Sequence, residues 1–428
     1  MQIVKYPSRD TWVQLLQRPT IDVSQLFNIV QPIIAEVETH GDEALRTFNK
    51  RFDRVCIEAL QVSKEELLDA ETALDEELKR AIRSAHDNIY RFHDAQRFKP
   101  IEVETLLGVR CWQMAKPIER VGLYIPGGSA PLFSTVLMLA TPAKIAGCNE
   151  VILCTPPTQL GTIHPAILYA AQIAGVSKIF KVGGAQAIAA MAKGTETIPR
   201  VDKIFGPGNQ FVTAAKQLVA LSGVAIDMPA GPSEVEVIAD STSRADFVAA
   251  DLLSQAEHGA DSQAILVTND EKLLYDVAEE VEKQLAILPR AEIARKALEH
   301  SLLILVKSRQ DILDLTNTYA PEHLVVATDD YEYVIEGVQH AGSVFLGKYS
   351  CESAGDYASG TNHTLPTNGY ARAYSGLSLD SFCKKITYQH LTATGVCQIG
   401  PTVVAMAKAE QLDAHRIAMQ IRMDSIYK

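Results

Sequence analysis

From Val23 to about Phe98, apolar residues recur at spacings of three and four, among them Ile29, Ile33, Val37, Leu45 and Phe48, with Glu and Lys between them. That period predicts two or three amphipathic helices, each with one stripe to bury. At Val121 the texture changes. Short apolar runs (V-G-L-Y-I, E-V-I-L-C-T, K-I-F-K-V, K-I-F) each end in a Gly- or Pro-containing turn and lead into helical stretches at 132–145, 167–174, 186–192 and 211–221. After Gly231 the alternation begins again: V-E-V-I-A, a helix from Ala249, A-I-L-V-T, a helix from Glu271 to Leu285, then L-I-L-V, H-L-V-V-A and S-V-F-L. Short buried strands alternating with helices predict parallel sheets built of βαβ units.

The predicted class is therefore α/β, with two Rossmann-like parallel-sheet domains of similar build, N-terminal helices and a C-terminal helical tail. The expected division is an arm over 1–22, a first α/β domain from 23–120 joined with 234–378, a second from 121–233, and a tail over 379–428. At 428 residues the chain exceeds one ordinary core, which agrees with two units.

Composition narrows the function. A formal charge of −12 argues against a nucleic-acid partner, whose phosphates need a basic face. Small anionic ligands remain compatible, because helix N-termini hold phosphate without net charge. No apolar run reaches bilayer length and the first ten residues carry no export signal, so a cytoplasmic protein is expected. Seven cysteines with no C-x-x-C suit reduced thiols packed as small hydrophobes.

Three turns are Gly-rich where parallel strands present their carboxyl ends to ligands: P-G-G-S-A-P, V-G-G-A-Q and F-G-P-G-N-Q. None completes G-x-G-x-x-G, since Phe211 stands where the third glycine belongs. Tight turns use glycine with or without a ligand, so these loops alone do not identify a nucleotide.

Ligand-type side chains collect elsewhere. In A-A-D-L-L-S-Q-A-E-H-G-A-D (249–261), Gln255 and His258 lie three residues apart and leave one helix face together. Glu322 and His323 adjoin at a strand entrance after Pro321. Neighbours in a strand point to opposite faces, so the pair shares one site only if that entrance is irregular. There the imidazole suits proton abstraction near neutral pH and the carboxylate suits activation of water. The polar loop 353–368, with Glu352 just before it, holds Asp356, Tyr357 and His363, and the tail helix carries Glu410 and His415. Those last two diverge by about 140° on a helix and would flank a ligand from two sides. Gln255, His258, Asp356 and His415 make a four-ligand N/O set of the kind zinc accepts. Taken alone, it suits an oxidoreductase, a zinc hydrolase with Glu322 as base, or a metal- or histidine-binding protein without turnover.

Over essentially its whole length the chain resembles the histidinol dehydrogenase family. The most specific pieces are V-G-L-Y-I-P-G-G-S-A-P, K-I-F-G-P-G-N, D-M-P-A-G-P-S-E, D-L-L-S-Q-A-E-H-G, P-E-H-L, S-A-G-D-Y-A-S-G-T-N-H-x-L-P and L-x-A-H. The resemblance implies zinc-dependent, NAD-linked oxidation of L-histidinol to L-histidine through L-histidinaldehyde. It implies one zinc per subunit on Gln255, His258, Asp356 and His415. Those four, with Ser233, His323, His363 and Glu410, are the implied substrate contacts. Tyr124, Gln186 and Asn209 are the implied NAD contacts, in the second domain, and Glu322 and His323 the catalytic pair. It further implies a homodimer whose tails cross, so that Glu410 and His415 complete the partner's site.

Overall fold

The two runs of alternating strands and helices fold into two parallel sheets of the same order. The structure, a computed structural model, describes residues 1–19, 23–127, 130–228 and 231–426, so Gly128 and Ser129 of the first Gly-rich turn and Pro229 and Ala230 of D-M-P-A-G-P-S-E lie outside the described residues. In chain order the strands are β1 (Gln2–Lys5), β2 (Ile101–Leu106), β3 (Val109–Pro117), β4 (Arg120–Tyr124), β5 (Glu150–Thr155), β6 (Lys178–Lys181), β7 (Lys203–Phe205), β8 (Ala225–Ile226), β9 (Glu234–Ala239), β10 (Gln263–Thr268), β11 (Leu302–Leu305), β12 (His323–Val326), β13 (Ser343–Leu346) and β14 (Cys383–Leu391). One sheet runs β6-β5-β4-β7-β8 and the other β1-β11-β10-β9-β12-β13. All their pairings are parallel. Counted from its own first strand, each sheet has the order 3-2-1-4-5, and β1 is added at one edge. The expected two units of similar build are present. Their inner strands are buried on both faces, which is why they read as unbroken apolar runs.

The N-terminal helices are Phe27–Phe48, Lys64–Ala73 and Glu76–Asp94. They pack on the five-stranded unit, not on the six-stranded unit to which the sequence reading joined them. Val30, Val37 and Leu45 share a core with Ile188 and Met191 of helix Gly184–Lys193. Ala70, Ile82 and Ile89 share another with Leu137 and Ala170 from the helices that follow β4 and β5. A period marks which face is apolar, but not which apolar surface it will meet. Val37, Leu45 and Phe48 are buried as expected, but in the first turns Val30 and Ile34 take the inward positions while Ile29 is 53% exposed.

The other differences involve strands. The arm places β1 against β11 at the sheet edge. β2, β3 and β14 form a separate antiparallel sheet, so the tail begins as a strand. Its helical part is two helices, Ala393–Ala409 and Asp413–Ile426, separated at Gln411, whose φ is +58°. Among the described residues, no helix is long and apolar enough to cross a membrane.

Arg18, at the end of the arm, reaches under the six-stranded sheet. Its guanidinium pairs with the buried Glu234 carboxylate, donates to the Tyr319 carbonyl oxygen at 2.7 Å and lies 4.0 Å from the centre of the Tyr319 ring. Removing one partner of a buried pair strands the other charge. Arg18→Ala is expected to destabilise the protein by about 3–5 kcal/mol, read from urea denaturation. A change below 1 kcal/mol would show that Glu234 finds another partner.

Candidate active site

The titratable cluster forms at the amino edge of the six-stranded sheet. Helix Arg309–Tyr319 ends with Ala320 in the left-handed region at φ +55°, and the chain turns there before entering β12. This irregular entrance puts both Glu322 and His323 inside, at 6% and 4% exposure, with Glu322 Oε2 3.6 Å from His323 Nδ1. The Glu234 amide of neighbouring β9 donates to Glu322 Oε2 at 2.9 Å and fixes that carboxylate. His323 Nδ1 also lies 3.9 Å from Glu352 Oε1, and its Nε2 lies 3.6 Å from Asp356 Oδ1.

Glu352 and Asp356 come from a short helix, Glu352–Tyr357, in a stretch read from sequence as a loop. It packs against helix Ala245–Ala256. That second helix ends before His258, which lies in the following turn with its amide bonded to the Gln255 carbonyl oxygen at 3.2 Å. His258, Glu352 and Asp356 each bring one ligand atom within 4.8 Å of the others. Gln255 is fully buried, and neither its amide oxygen nor its nitrogen has a partner. Asp356 Oδ1 and both Glu352 oxygens are likewise buried and accept no hydrogen bond. Buried polar atoms are almost always satisfied, so several such atoms gathered in one place make a set that a cation could satisfy. Their chemistry, imidazole nitrogen with carboxylate and amide oxygens, fits a divalent transition ion.

Electrostatics follow from crowding. Burial alone would push His323 down, but the Glu352 and Glu322 carboxylates, together with Asp356, hold it well above its ordinary value. Burial pushes Glu352 up to about 8, while its partnership with His323 keeps Asp356 low against burial. A divalent cation held by Asp356 would oppose that field and favour the neutral ring that a base needs. His363, pushed down by burial, bridges the two units: its Nδ1 is 3.0 Å from the Asp356 carbonyl oxygen and its Nε2 3.2 Å from Thr135 Oγ1. Thr135 lies on helix Phe133–Ala146, which follows β4. Ser233, half-buried, immediately precedes β9.

The second site is a cavity of about 680 Å³ at the carboxyl ends of the five-stranded sheet. Tyr124 at the end of β4, Gln186 in the first turn of helix Gly184–Lys193 and Asn209 at the N-cap of helix Gln210–Ala220 all line it. The Tyr124 hydroxyl accepts from the Gly184 amide at 3.0 Å, and Asn209 Oδ1 caps the next helix by accepting from the Phe211 and Val212 amides at 3.1 Å. Gly206 closes the same turn at φ +125°, where a Cβ would overlap the Tyr124 carbonyl oxygen. Helix N-termini and a cavity within the usual range for cofactors suit a dinucleotide. Thr155 Oγ1, buried in the lining, has no partner in the protein.

The family model for histidinol dehydrogenase matches residues 16–423. The chain belongs to the histidinol dehydrogenase family. It is 62% identical over 426 residues to the histidinol dehydrogenase of Bacteroides thetaiotaomicron, covering 100% of both chains. It is 55% identical over 416 residues to that of Escherichia coli O157:H7, covering 96% of this chain and 95% of the other. A crystal structure of histidinol dehydrogenase from Elizabethkingia anophelis superposes with a TM-score of 0.98 at 54% identity, covering 100% of this chain and 99% of that one. Like the rest of its family, the chain is an oxidoreductase.

Two of the expected family site residues stand apart. Glu410 caps the end of helix Ala393–Ala409, His415 lies on the next helix, and both are exposed and outside the buried cluster. Their expected placement on one helix is corrected by the break at Gln411. Sequence reasoning also left Glu352 without a role, although it is the most buried carboxylate of the cluster at 1% exposure. Its signal was present, a carboxylate four residues before Asp356, but the stretch was read as a loop.

Proposed function

We propose that the protein oxidises L-histidinol to L-histidine through L-histidinaldehyde, with a bound zinc ion and NAD as the oxidant for both steps. The observation that carries this reading is the buried pocket of unpartnered ligand atoms on Gln255, Asp356 and Glu352 beside His258, directly against the Glu322–His323 pair. Gln255, His258, Asp356 and His415 would hold the metal, and Tyr124, Gln186 and Asn209 the dinucleotide. When bound, zinc supplies positive charge that grips the amino and imidazole nitrogens of histidinol, and NAD supplies the hydride acceptor. His323 takes the hydroxyl proton in the first oxidation. Glu322, held by the Glu234 amide, takes a proton from water as it adds to the aldehyde, and His323 acts again on the hydrate. Burial keeps the reactive aldehyde from escaping between steps. Ser233, His363 and Glu410 complete the substrate contacts. The purified protein should carry about one zinc per chain and form two reduced NAD for each histidinol consumed. Metal binding without reduced NAD would favour a hydrolase or a binding protein instead.

The same reading makes the active unit a homodimer with crossed tails. Its support is the exposure of His415 and Glu410, together with Met406, Leu412, Ile417 and Ile421, an apolar surface on the tail that a monomer would leave wet. Co-expressing His323→Asn with His415→Asn tests it. Shared sites leave one intact site in each heterodimer, so the mixture should recover about a quarter of native activity. If each site came from one chain, mixing would restore nothing.

A further inference from the structure

The dinucleotide cavity contains a charge that no Gly-rich turn supplies. Asp53 lines it, entering from the end of the π-helical segment Asn49–Asp53 that continues helix Phe27–Phe48. Its Oδ2 is buried and has no hydrogen-bond partner. It is the only carboxylate among the described residues of the lining, and no Lys or Arg lines the cavity with it. In sheets of this order the acid that holds the adenosine ribose comes from the end of the second strand. Here that strand is β5, and it runs into T-P-P-T-Q, which has no acid. Asp53 reaches the same half of the sheet from outside it. Asn49 Nδ2 donates to the Lys181 carbonyl oxygen at 2.8 Å, and the Lys181 amide donates to Leu60 at 2.7 Å, tying the 49–60 segment to the end of β6, which lies beside β5.

We propose that Asp53 accepts the hydroxyl hydrogens of the adenosine ribose and excludes a 2′-phosphate, and so sets a preference for NAD over NADP. The inference rests on the proposed use of NAD. Burial pushes the carboxyl up to about 6, which still leaves it ionised at neutral pH. An ionised acceptor facing two vicinal hydroxyls forms charge-assisted hydrogen bonds, and the same charge repels a phosphate dianion where the described lining offers no Lys or Arg to receive it.

Calorimetric titration of the full-length protein with NAD, NADP, ADP-ribose and nicotinamide mononucleotide tests this without reference to turnover. The native protein should bind NAD far more tightly than NADP. Asp53→Asn, which keeps the side chain's size, should weaken NAD and ADP-ribose by about 10–100-fold, the usual cost of losing hydrogen bonds to a charged group. NADP and the mononucleotide should change little, so the NAD/NADP preference collapses. Asp53→Ser should shift the preference in the same direction, and unchanged thermal melting of either variant excludes a folding defect. Equal losses for NAD and NADP would reduce Asp53 to a packing role and overturn the inference alone. If the native protein bound no NAD, both the inference and the underlying reading would fail.

Discussion

Replacing His323 with Asn is expected to slow both oxidations, of histidinol and of histidinaldehyde, by about 10²–10⁴-fold, the usual contribution of a positioned base. The imidazole stands between the Glu322–Glu352 side and Asp356, with one ring nitrogen toward each. Among the described residues, no other histidine is ion-paired with all three carboxylates. Steady-state rates from each substrate separate the steps, and a loss confined to one would mean that a different group serves the other. Glu322→Gln should behave differently, because the amide oxygen can still accept from the Glu234 amide and so preserves the local structure. It removes only the ability to take a proton from water. The second oxidation should therefore slow much more than the first. Equal rates toward alcohol and aldehyde in that variant would refute the division of labour.

The second large effect is expected at Gln255, with opposite signs in two measurements. Its amide is fully buried with neither atom partnered. An unsatisfied buried polar group costs about 1–3 kcal/mol, so Gln255→Leu should make the metal-free protein more stable by roughly that amount in urea denaturation. The same change removes a ligand. Loss of an outer-shell partner alone costs a metal site about 10–100-fold in affinity, and loss of a direct ligand should exceed that, with activity falling alongside zinc content. Greater stability combined with lost zinc would identify the amide as a group kept for the metal and not for the fold. A variant that is less stable and still binds zinc would mean that Gln255 is packed for structure.

Much of this was legible along the chain. The helix Glu271–Leu285 and the strands E-V-I-L-C-T and V-E-V-I-A lie where their periods put them, because each buries a face, or both faces, against adjacent elements of its own unit. Gln255 and His258 were readable as neighbours but not as two positions of one helix face, since that helix ends at Ala256 and His258 lies in the turn beyond it. Glu322 and His323 were legible as a pair, but whether both could face one pocket depended on Ala320 turning the chain, which no spacing reports. Asp53 was invisible as a functional group, since a lone acid after an amphipathic helix reads as solvated surface. The C-terminal β14 escaped notice because its pairing with β3 joins segments far apart in sequence.

From its sequence alone, the chain determined its alternating strands and helices, its turns and its family, all of which are written in short-range patterns of apolar and polar residues. Only the tertiary structure decided that the N-terminal helices cover the five-stranded unit, that Glu352 joins His258 and Asp356, and that Asp53 enters the cavity at the carboxyl ends of the five-stranded sheet. Local periodicity specifies which face must be buried. What that face meets, and which polar groups are left together without water, depends on the packing of segments far apart in the chain.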